Sequence, residues 1–231
     1  MRNIFKTALL SSAFAAVAAG GADPGTAVIR CDFDSPEVMK KEWRIQGAWT
    51  TLRNTKFVIV GEPTAVDKKV LAVEAKRSSG FLFMRIKGQD LKKYPYMRGR
   101  WRVVRSLKLP AGKEGQEPDD QPCVIYISAR DGSKDNSVGY RWEFNTKVGT
   151  VRMIEYPFSK NVQAYCVRNR ETHDGEWVEE ERNVLEEYKA AFGKVPTDFL
   201  ITIGGNSQHS KSDTRAEIDY IEFRSTPKAG K

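Results

Sequence analysis

Short stretches that alternate apolar and polar residues follow one another along most of the chain, with turn-forming residues between them. In KVLAVEAK, for example, Leu71, Val73 and Ala75 share one parity, as in a β-strand with one buried face. Short strands at regular spacing, separated by turn signals, are typical of a β-sandwich or a barrel. The chain has 231 residues, enough for the core of such a domain. The sequence therefore predicts an all-β fold, an antiparallel β-sandwich.

One stretch, RNVLEEYKAAFG, has the helical period instead, because its apolar residues between positions 184 and 192 recur three or four residues apart. Asn183 precedes this stretch and Glu186 lies three residues later, which resembles a capping box. Gly193 is placed to end a helix, and Pro196 prevents its continuation. We expect one short helix from Val184 to Phe192, lying over an edge or end of the sandwich.

The N-terminus predicts export. Arg2 and Lys6 precede an apolar run from Ala8 to Ala19, and small residues follow, which is the layout of a signal peptide. This run is too short to cross a bilayer comfortably, and no later segment is long and apolar enough to do so. We therefore expect residues 1–22 to be a signal peptide and residues 23–231 a single β-sandwich domain. The mature protein is expected to be periplasmic or extracellular, secreted, and not an integral membrane protein.

The balance of charge is basic, with 38 Lys and Arg residues against 30 Asp and Glu residues and a formal net charge of +8. A basic exported protein can meet anionic partners such as acidic polysaccharide, lipid head groups or nucleic acid. Because acidic residues are interspersed among the basic ones, an ordinary solvated surface explains the same composition. No nucleic-acid-binding motif is present, and nucleic acid is not predicted as a partner.

Cysteine and metal chemistry have weak support. Cys31, Cys123 and Cys166 form no C-x-x-C pair; export would permit one disulfide in any of the three pairings, but we expect buried, inert cysteines. No cofactor is predicted. A structural calcium site stays open, because acidic residues lie near the two ends of the predicted domain, where terminal strands often meet. These residues are Asp32, Asp34 and Asp219.

The stretch SVGYRWEF presents aromatic residues on one parity and an ionic pair on the other. Tyr140, Trp142 and Phe144 share a face, which indicates core rather than a sugar-stacking ladder. Arg141 and Glu143 must then lie on the opposite face, where neighbouring strands can add polar groups.

The polar groups of other strands extend this hypothesis. Arg100 and Arg102 share a parity in RGRWRVV, and Tyr126 and Arg130 do so in CVIYISAR. A sheet face with arginines, a glutamate and a tyrosine can bind a polar, anionic chain, and cross-strand ion pairs on a solvated face are the alternative. The predicted ligand-binding residues are Arg100, Arg102, Tyr126, Arg130, Arg141, Glu143 and His209.

Several motifs in order resemble a bacterial family known as domain of unknown function 3047. They are SSGFLFMRI, YPYMRGRWRV, the pair Asp119-Asp120, GYRW, GEWVEEERNVLEEYKAAFG and AEIDYIEF. The resemblance implies an exported bacterial β-domain of unassigned activity, and it transfers no catalytic residue. The chain departs from the family at Val124, where members tend to have arginine, and in the loop NSQHSKSDTR, which members tend to make acidic. The two ends of the domain also resemble concanavalin A-like or galactose-binding-like jelly rolls, so we expect a sandwich of the jelly-roll type.

These observations predict non-catalytic binding of carbohydrate at the cell envelope, with acidic polysaccharide as one form of it. Two alternatives stay open: a glycan-active enzyme, either a polysaccharide lyase or a glycoside hydrolase, and a structural envelope protein. A lyase needs a base and a group that neutralises a uronate, and Tyr126 or His209 together with Arg102 and Arg141 are residues of those types. The sequence contains no motif that decides between an enzyme and a binding protein.

Overall fold

The computed structural model of the protein describes residues 28–47, 55–87, 91–113, 118–157, 160–172 and 175–228. The helices are α1 (Pro36–Glu42) and α2 (Val184–Phe192). The strands are β1 (Val28–Asp32), β2 (Arg44–Gly47), β3 (Thr55–Gly61), β4 (Lys69–Lys76), β5 (Ser79–Ile86), β6 (Tyr96–Arg105), β7 (Gln121–Asp131), β8 (Lys134–Glu143), β9 (Val151–Tyr156), β10 (Lys160–Asn169), β11 (Val178–Asn183), β12 (Phe199–Asn206) and β13 (Asp213–Arg224). The predicted signal peptide lies outside the described residues.

Two sheets pack face to face, which confirms the predicted all-β sandwich. The six-stranded sheet has the order β11-β6-β13-β4-β3, with β1 also paired to β13, and the seven-stranded sheet has the order β2-β5-β12-β7-β8-β10-β9. Eight of these strands, β4-β13-β6-β11 and β5-β12-β7-β8, have the interleaved order of two Greek keys, because the chain crosses repeatedly from one sheet to the other. The jelly-roll type is therefore confirmed as well.

One pair of neighbouring strands departs from the antiparallel prediction. β10 runs parallel to β8, with Lys160 opposite Asp135 and Asn169 opposite Glu143. The chain leaves β8, forms the edge strand β9, and returns as β10 between the two, so β9 and β10 are antiparallel to each other. The seven-stranded sheet therefore consists of its share of the jelly roll extended by a β9–β10 hairpin on one side and by β2 on the other.

The core lies between the sheets, and β8 contributes its largest side chains. Tyr140, Trp142 and Phe144 are 1%, 2% and 8% exposed and belong to the same buried cluster, which confirms their predicted core role. Arg141 and Glu143 point to the outer side of the sheet, as expected from the strand period, but they too are buried. This burial on both faces reflects the place of β8, which is a central strand of its sheet with β7 on one side and β10 on the other.

Both helices are short, and only α2 was expected. The side chain of Asn183 accepts a hydrogen bond from the backbone N–H of Glu186 at 3.2 Å, and Gly193 adopts the left-handed conformation at φ 70°. α2 contacts β6 of one sheet and β8 of the other, so it lies across an end of the sandwich as predicted. The sequence reading missed α1, because this helix has no buried residue and hence no apolar period. Its start signal was nevertheless present, with Ser35 as N-cap.

Cys31, Cys123 and Cys166 are all buried and free, which confirms the expected burial. Burial raises the pKa of the Cys31 and Cys123 thiols above the ordinary range, so both stay protonated and unreactive. Among the described residues, the structure contains no helix of the length and apolarity required to cross a bilayer.

Candidate functional site

Two aromatic rings lie over glycines on the outer face of the seven-stranded sheet. Tyr126 of β7 is paired with Gly139 of β8, and a Cβ atom at Gly139 would lie only 2.6 and 2.7 Å from two ring carbons of Tyr126. Phe81 of β5 and Gly204 of β12 repeat this arrangement, with both distances at 2.7 Å. The two glycines therefore provide the space in which the rings rest on the sheet.

The two rings form one aromatic platform. The ring centroids of Phe81 and Tyr126 are 6.3 Å apart, the ring planes are inclined to each other at 48°, and both residues are half-buried. Packing against the glycine backbone restricts both rings, and each residue keeps part of its surface exposed.

A network of four charged groups lies beside the aromatic platform. Arg141 donates from Nη2 to Asp119 Oδ1 at 2.7 Å, and its Nε lies 3.0 Å from Glu143 Oε1. Arg152 of β9 donates to both oxygens of Glu143, at 2.8 and 2.5 Å. The hydroxyl of Tyr156 donates to the Asp119 carboxylate at 3.1–3.2 Å. Strands β8 and β9 and the segment before β7 thus meet in one polar network.

The members of this network differ in exposure. The side chains of Arg141 and Glu143 are each 1% exposed, whereas those of Asp119 and Arg152 are 49% and 34% exposed. The buried pair holds one exposed group at each end: Arg141 holds Asp119, and Glu143 holds Arg152. Arg141 and Glu143 are therefore positioning residues, and the groups that can touch a ligand are Asp119, Arg152 and Tyr156.

Electrostatics fix the protonation of these groups. Burial acts to raise the pKa of Asp119, but hydrogen bonds and the charge of Arg141, together with Tyr156 and Gln121, outweigh it, so this pKa lies below its ordinary value. Burial raises the pKa of both Tyr126 and Tyr156. At neutral pH the aspartate is therefore charged and both tyrosines are protonated.

Asp119 is held in place by the residue that follows it. Asp120 is fully buried and accepts hydrogen bonds from the backbone N–H groups of His209 and Ser210, at 3.2 and 2.6 Å. Asn206 donates from its side chain to the backbone oxygen of Asp119 at 2.7 Å. The paired aspartates thus have different roles. Asp120 anchors the loop that contains His209 and Ser210, and Asp119 extends over the sheet.

The structure brings together only some of the predicted ligand-binding residues. Tyr126, Arg141 and Glu143 belong to the site just described. The backbone N–H of His209 donates a hydrogen bond to Asp120, which places His209 near the site, but its exposed imidazole contacts Gln208. Arg130 is 75% exposed and pairs with Asp135 at 3.2 Å, at the turn end of the β7–β8 hairpin.

Arg100 and Arg102 do not share a face with Arg141, contrary to the expectation from their parity. They lie on β6, on the outer side of the six-stranded sheet, so the whole sandwich separates them from Arg141. Arg100 pairs with Asp219 at 2.5 Å, and Arg102 pairs with both Glu217 and Glu62, at 2.7 and 2.6 Å. The alternative of cross-strand ion pairs describes this face.

Two of the three carboxylates considered for calcium, those of Asp32 and Asp219, have other partners. β1 pairs with β13, so the terminal strands do lie side by side. Asp32 pairs with Arg30 at 2.5 Å, and Asp219 accepts from Arg100 and from the backbone N–H of Val66. Within the described ranges, no group of three His, Cys, Asp or Glu side chains is placed to hold a metal ion.

The sequence reading missed four residues of the site: Phe81, Asp119, Arg152 and Tyr156. In the sequence, Asp119 stands out only as half of a family motif, and no motif marks Arg152 or Tyr156 in the stretch GTVRMIEY. The sequence signal for Phe81 is Gly204 in FLITIGGN, but recognising it requires knowing that β12 pairs with β5.

Comparison with known proteins gives one family and distant structural likenesses. The model of a family described as "Protein of unknown function (DUF3047)" matches residues 41–222. No curated protein matches the chain.

Several solved structures resemble the fold. A winged bean acidic lectin complexed with methyl-α-D-galactose is 13% identical at a TM-score of 0.44, with 86% of this chain and 98% of that chain covered. A carbohydrate esterase from the Shiga toxin-encoding bacteriophage phi24B is 12% identical at a TM-score of 0.44, with 87% and 99% covered. The family 11 carbohydrate-binding module of a Clostridium thermocellum cellulosomal cellulase is 10% identical at a TM-score of 0.43, with 79% and 86% covered.

Proposed function

The chain belongs to the DUF3047 family, and from the geometry of its site we propose that it binds a glycan, without catalysis, on the outer face of the seven-stranded sheet. One observation carries the proposal: the rings of Phe81 and Tyr126 lie over Gly204 and Gly139 beside a fixed network of polar groups.

This combination suits a sugar ring. A pyranose presents an apolar face of C–H groups and a rim of hydroxyls, so it needs an apolar surface and directed hydrogen-bonding groups. The half-buried rings of Phe81 and Tyr126 supply the former, and Asp119, Arg152 and Tyr156 supply the latter. Because the rings rest on backbone and the polar groups are held by buried partners, little side-chain entropy is lost on binding.

The enzyme alternative has less support from the same geometry. A lyase that uses tyrosine as its base requires a lowered pKa, and burial raises the pKa of both Tyr126 and Tyr156. Glu143 is enclosed between Arg141 and Arg152 and is not accessible to a substrate. The tyrosines therefore serve better as donors and surfaces than as bases.

The test measures glycan binding by variants of the two outer faces. Affinity electrophoresis against a panel of neutral polysaccharides, alginate and pectate identifies the ligand class. Phe81→Ala and Tyr126→Ala should each weaken binding about tenfold or more, as for loss of an aromatic anchor. Trp177→Ala is the matched control, because Trp177 is a half-buried aromatic near the outer face of the six-stranded sheet.

Folding of each variant is checked by its melting temperature. Loss of binding in Trp177→Ala, with Phe81→Ala and Tyr126→Ala unchanged, would place the ligand on the other face and contradict the proposal. The sequence-based prediction of an acidic polysaccharide stays a prediction that the panel tests.

Export completes the proposal, because an envelope glycan is met outside the cytoplasm. The basic, apolar and small-residue order of residues 1–22 supports cleavage of a signal peptide near Ala22. Mass spectrometry of protein from its native host should find a mature N-terminus within a few residues of Asp23. Intact Met1 in a soluble cytoplasmic fraction would contradict export without affecting the binding proposal.

A further inference from the structure

The charges of the site cancel. Arg141 and Arg152 carry two positive charges, and Asp119 and Glu143 carry two negative ones within direct contact. Both arginines are already in ion pairs, because Arg152 uses its two terminal nitrogens on Glu143 and Arg141 uses Nη2 on Asp119. The Nη1 atom of Arg141 has no hydrogen-bond partner among the described residues, but it is buried. Neither arginine presents an unused pair of terminal nitrogens for a carboxylate or sulfate of a ligand.

An added anion would therefore gain little attraction here. It would approach arginines that are already neutralised, and it would lie beside the half-exposed Asp119, which repels it. The arginines of the other face do not contribute, since the sandwich lies between them and the site.

Hydroxyl groups fit the same site better. The Oδ1 atom of Asp119 accepts from Arg141, Tyr156 and Gln121, whereas its Oδ2 atom accepts from Tyr156 at 3.1 Å. A carboxylate oxygen and a phenolic oxygen each have further lone pairs, so Asp119 Oδ2 and Tyr156 Oη can both accept from a ligand. They form two acceptors 3.1 Å apart at an exposed position.

We propose that the site selects an uncharged sugar, which donates two neighbouring hydroxyls to Asp119 Oδ2 and Tyr156 Oη while its apolar face lies on Phe81 and Tyr126. This inference rests on the proposed function and names its ligand class. It differs from the acidic polysaccharide predicted from the net charge and from an arginine-bearing sheet face, because the charge that a ligand meets is that of the site and not that of the whole chain.

The experiment compares uncharged and acidic polysaccharides at two salt concentrations. Wild-type protein is run through gels containing galactomannan, xyloglucan, mixed-linkage β-glucan, alginate or polygalacturonate, at low and at physiological ionic strength. We expect retardation by at least one uncharged polymer, with no more than about a twofold change between the salt concentrations, since screening acts on exposed charges. Alginate and polygalacturonate should cause none.

Two variants test the named atoms. Tyr156→Phe keeps the ring and removes one acceptor, and it should weaken binding of the uncharged polymer about three- to tenfold. Asp119→Asn should weaken it at least as much, and by leaving a net positive site it should create salt-sensitive retardation by polygalacturonate. Asp131→Asn is the matched control, because Asp131 is an exposed carboxylate paired with Lys194 on another part of the surface.

The outcomes separate the two proposals. Retardation of wild type by acidic polymers alone, abolished by Phe81→Ala or Tyr126→Ala, would overturn the uncharged-sugar inference and leave the binding proposal intact. Retardation that neither aromatic variant affects would overturn both. Normal binding of the uncharged polymer by both Tyr156→Phe and Asp119→Asn would overturn the assignment of the hydroxyl acceptors.

Discussion

The two outer faces of the sandwich use arginine in different ways. On the six-stranded sheet, Arg98, Arg100 and Arg102 alternate along β6, and each meets a carboxylate on a neighbouring strand or loop. Trp177 lies over two of these arginines, with its ring centroid 4.8 and 4.4 Å from the guanidinium carbons of Arg100 and Arg102. Its ring N–H donates to the hydroxyl of Thr64 at 2.9 Å. The arginines, their carboxylates and the Trp177 ring therefore find their partners within this face.

On the seven-stranded sheet, the corresponding arginine is part of a sparser arrangement. Arg141 has glycine two positions away at Gly139, and the space is occupied by the ring of Tyr126. Its ionic partners leave one end of the network exposed at Asp119 and the other at Arg152. An outward arginine is structural where neighbouring strands complete its contacts. Where the neighbouring strands leave polar groups and apolar surface exposed, as around Arg141, the arginine can instead support a binding site.

The largest effect is expected in the core that both faces share. Trp142→Ala should lower the free energy of unfolding by about 3–5 kcal/mol, because it empties a large, fully buried position. Urea denaturation measures the change. A variant of unchanged stability that fails to bind glycan would show that Trp142 contacts the ligand, and the comparison of two outer faces would then be the wrong one.

The second-largest effect is expected at the buried carboxylate of the ion-pair network on each outer face. Glu143 is held between Arg141 and Arg152, and Glu222 accepts from Arg98 and Arg224 on the other face. Glu143→Gln and Glu222→Gln should each cost about 3 kcal/mol, the lower end of the range for breaking a buried ion pair, because glutamine keeps the shape. Chemical denaturation at neutral pH measures both costs.

Glycan binding should distinguish these two variants. Glu143→Gln releases Arg152 and should weaken binding, whereas Glu222→Gln should leave binding unchanged at temperatures where both variants are folded. Equal loss of binding in the two would indicate that stability, not position, governs the site, and the distinction between the faces would fail.

The smallest effect concerns pH. The pKa of Asp119 lies below its ordinary value of 3.8, so the folded protein keeps this charge at a pH where the unfolded chain is protonated. Its contribution to stability is present above the ordinary pKa and is lost as pH falls through that value toward the lowered one. Wild type should therefore lose melting temperature more steeply between pH 5 and about 3 than Asp119→Asn does. Equal slopes for wild type and Asp119→Asn would contradict the Arg141–Asp119 interaction.

Most of the fold was predictable because local patterns carry it. The period of two in KVLAVEAK and the cap and stop residues around α2 depend only on near neighbours in sequence. The helix α1 was not predicted because none of its residues is buried, so its sequence has no apolar period, although Ser35 marks its start. The parallel pairing of β8 with β10 escaped because strand patterns do not encode which neighbour a strand takes.

The site was predictable only in part because it depends on pairing between strands. The parity of Arg141 correctly placed its side chain on an outward face, but parity does not say to which sheet β6 belongs. Arg100 and Arg102 were therefore assigned to the wrong face. Phe81 becomes a site residue through its register with Gly204, and Arg152 through its reach across β10. Residue types along one strand cannot supply this information.

The β9–β10 hairpin makes the site divisible. The aromatic platform belongs to the eight jelly-roll strands, whereas Arg152 and Tyr156 are carried by β9 at the edge of the sheet. Of the two proposed hydroxyl acceptors, Tyr156 therefore lies on the hairpin, whereas Asp119 lies on the segment before β7. Under the proposed function, exchanging this one peripheral hairpin would change part of the polar set that a sugar meets and would leave the aromatic platform unchanged.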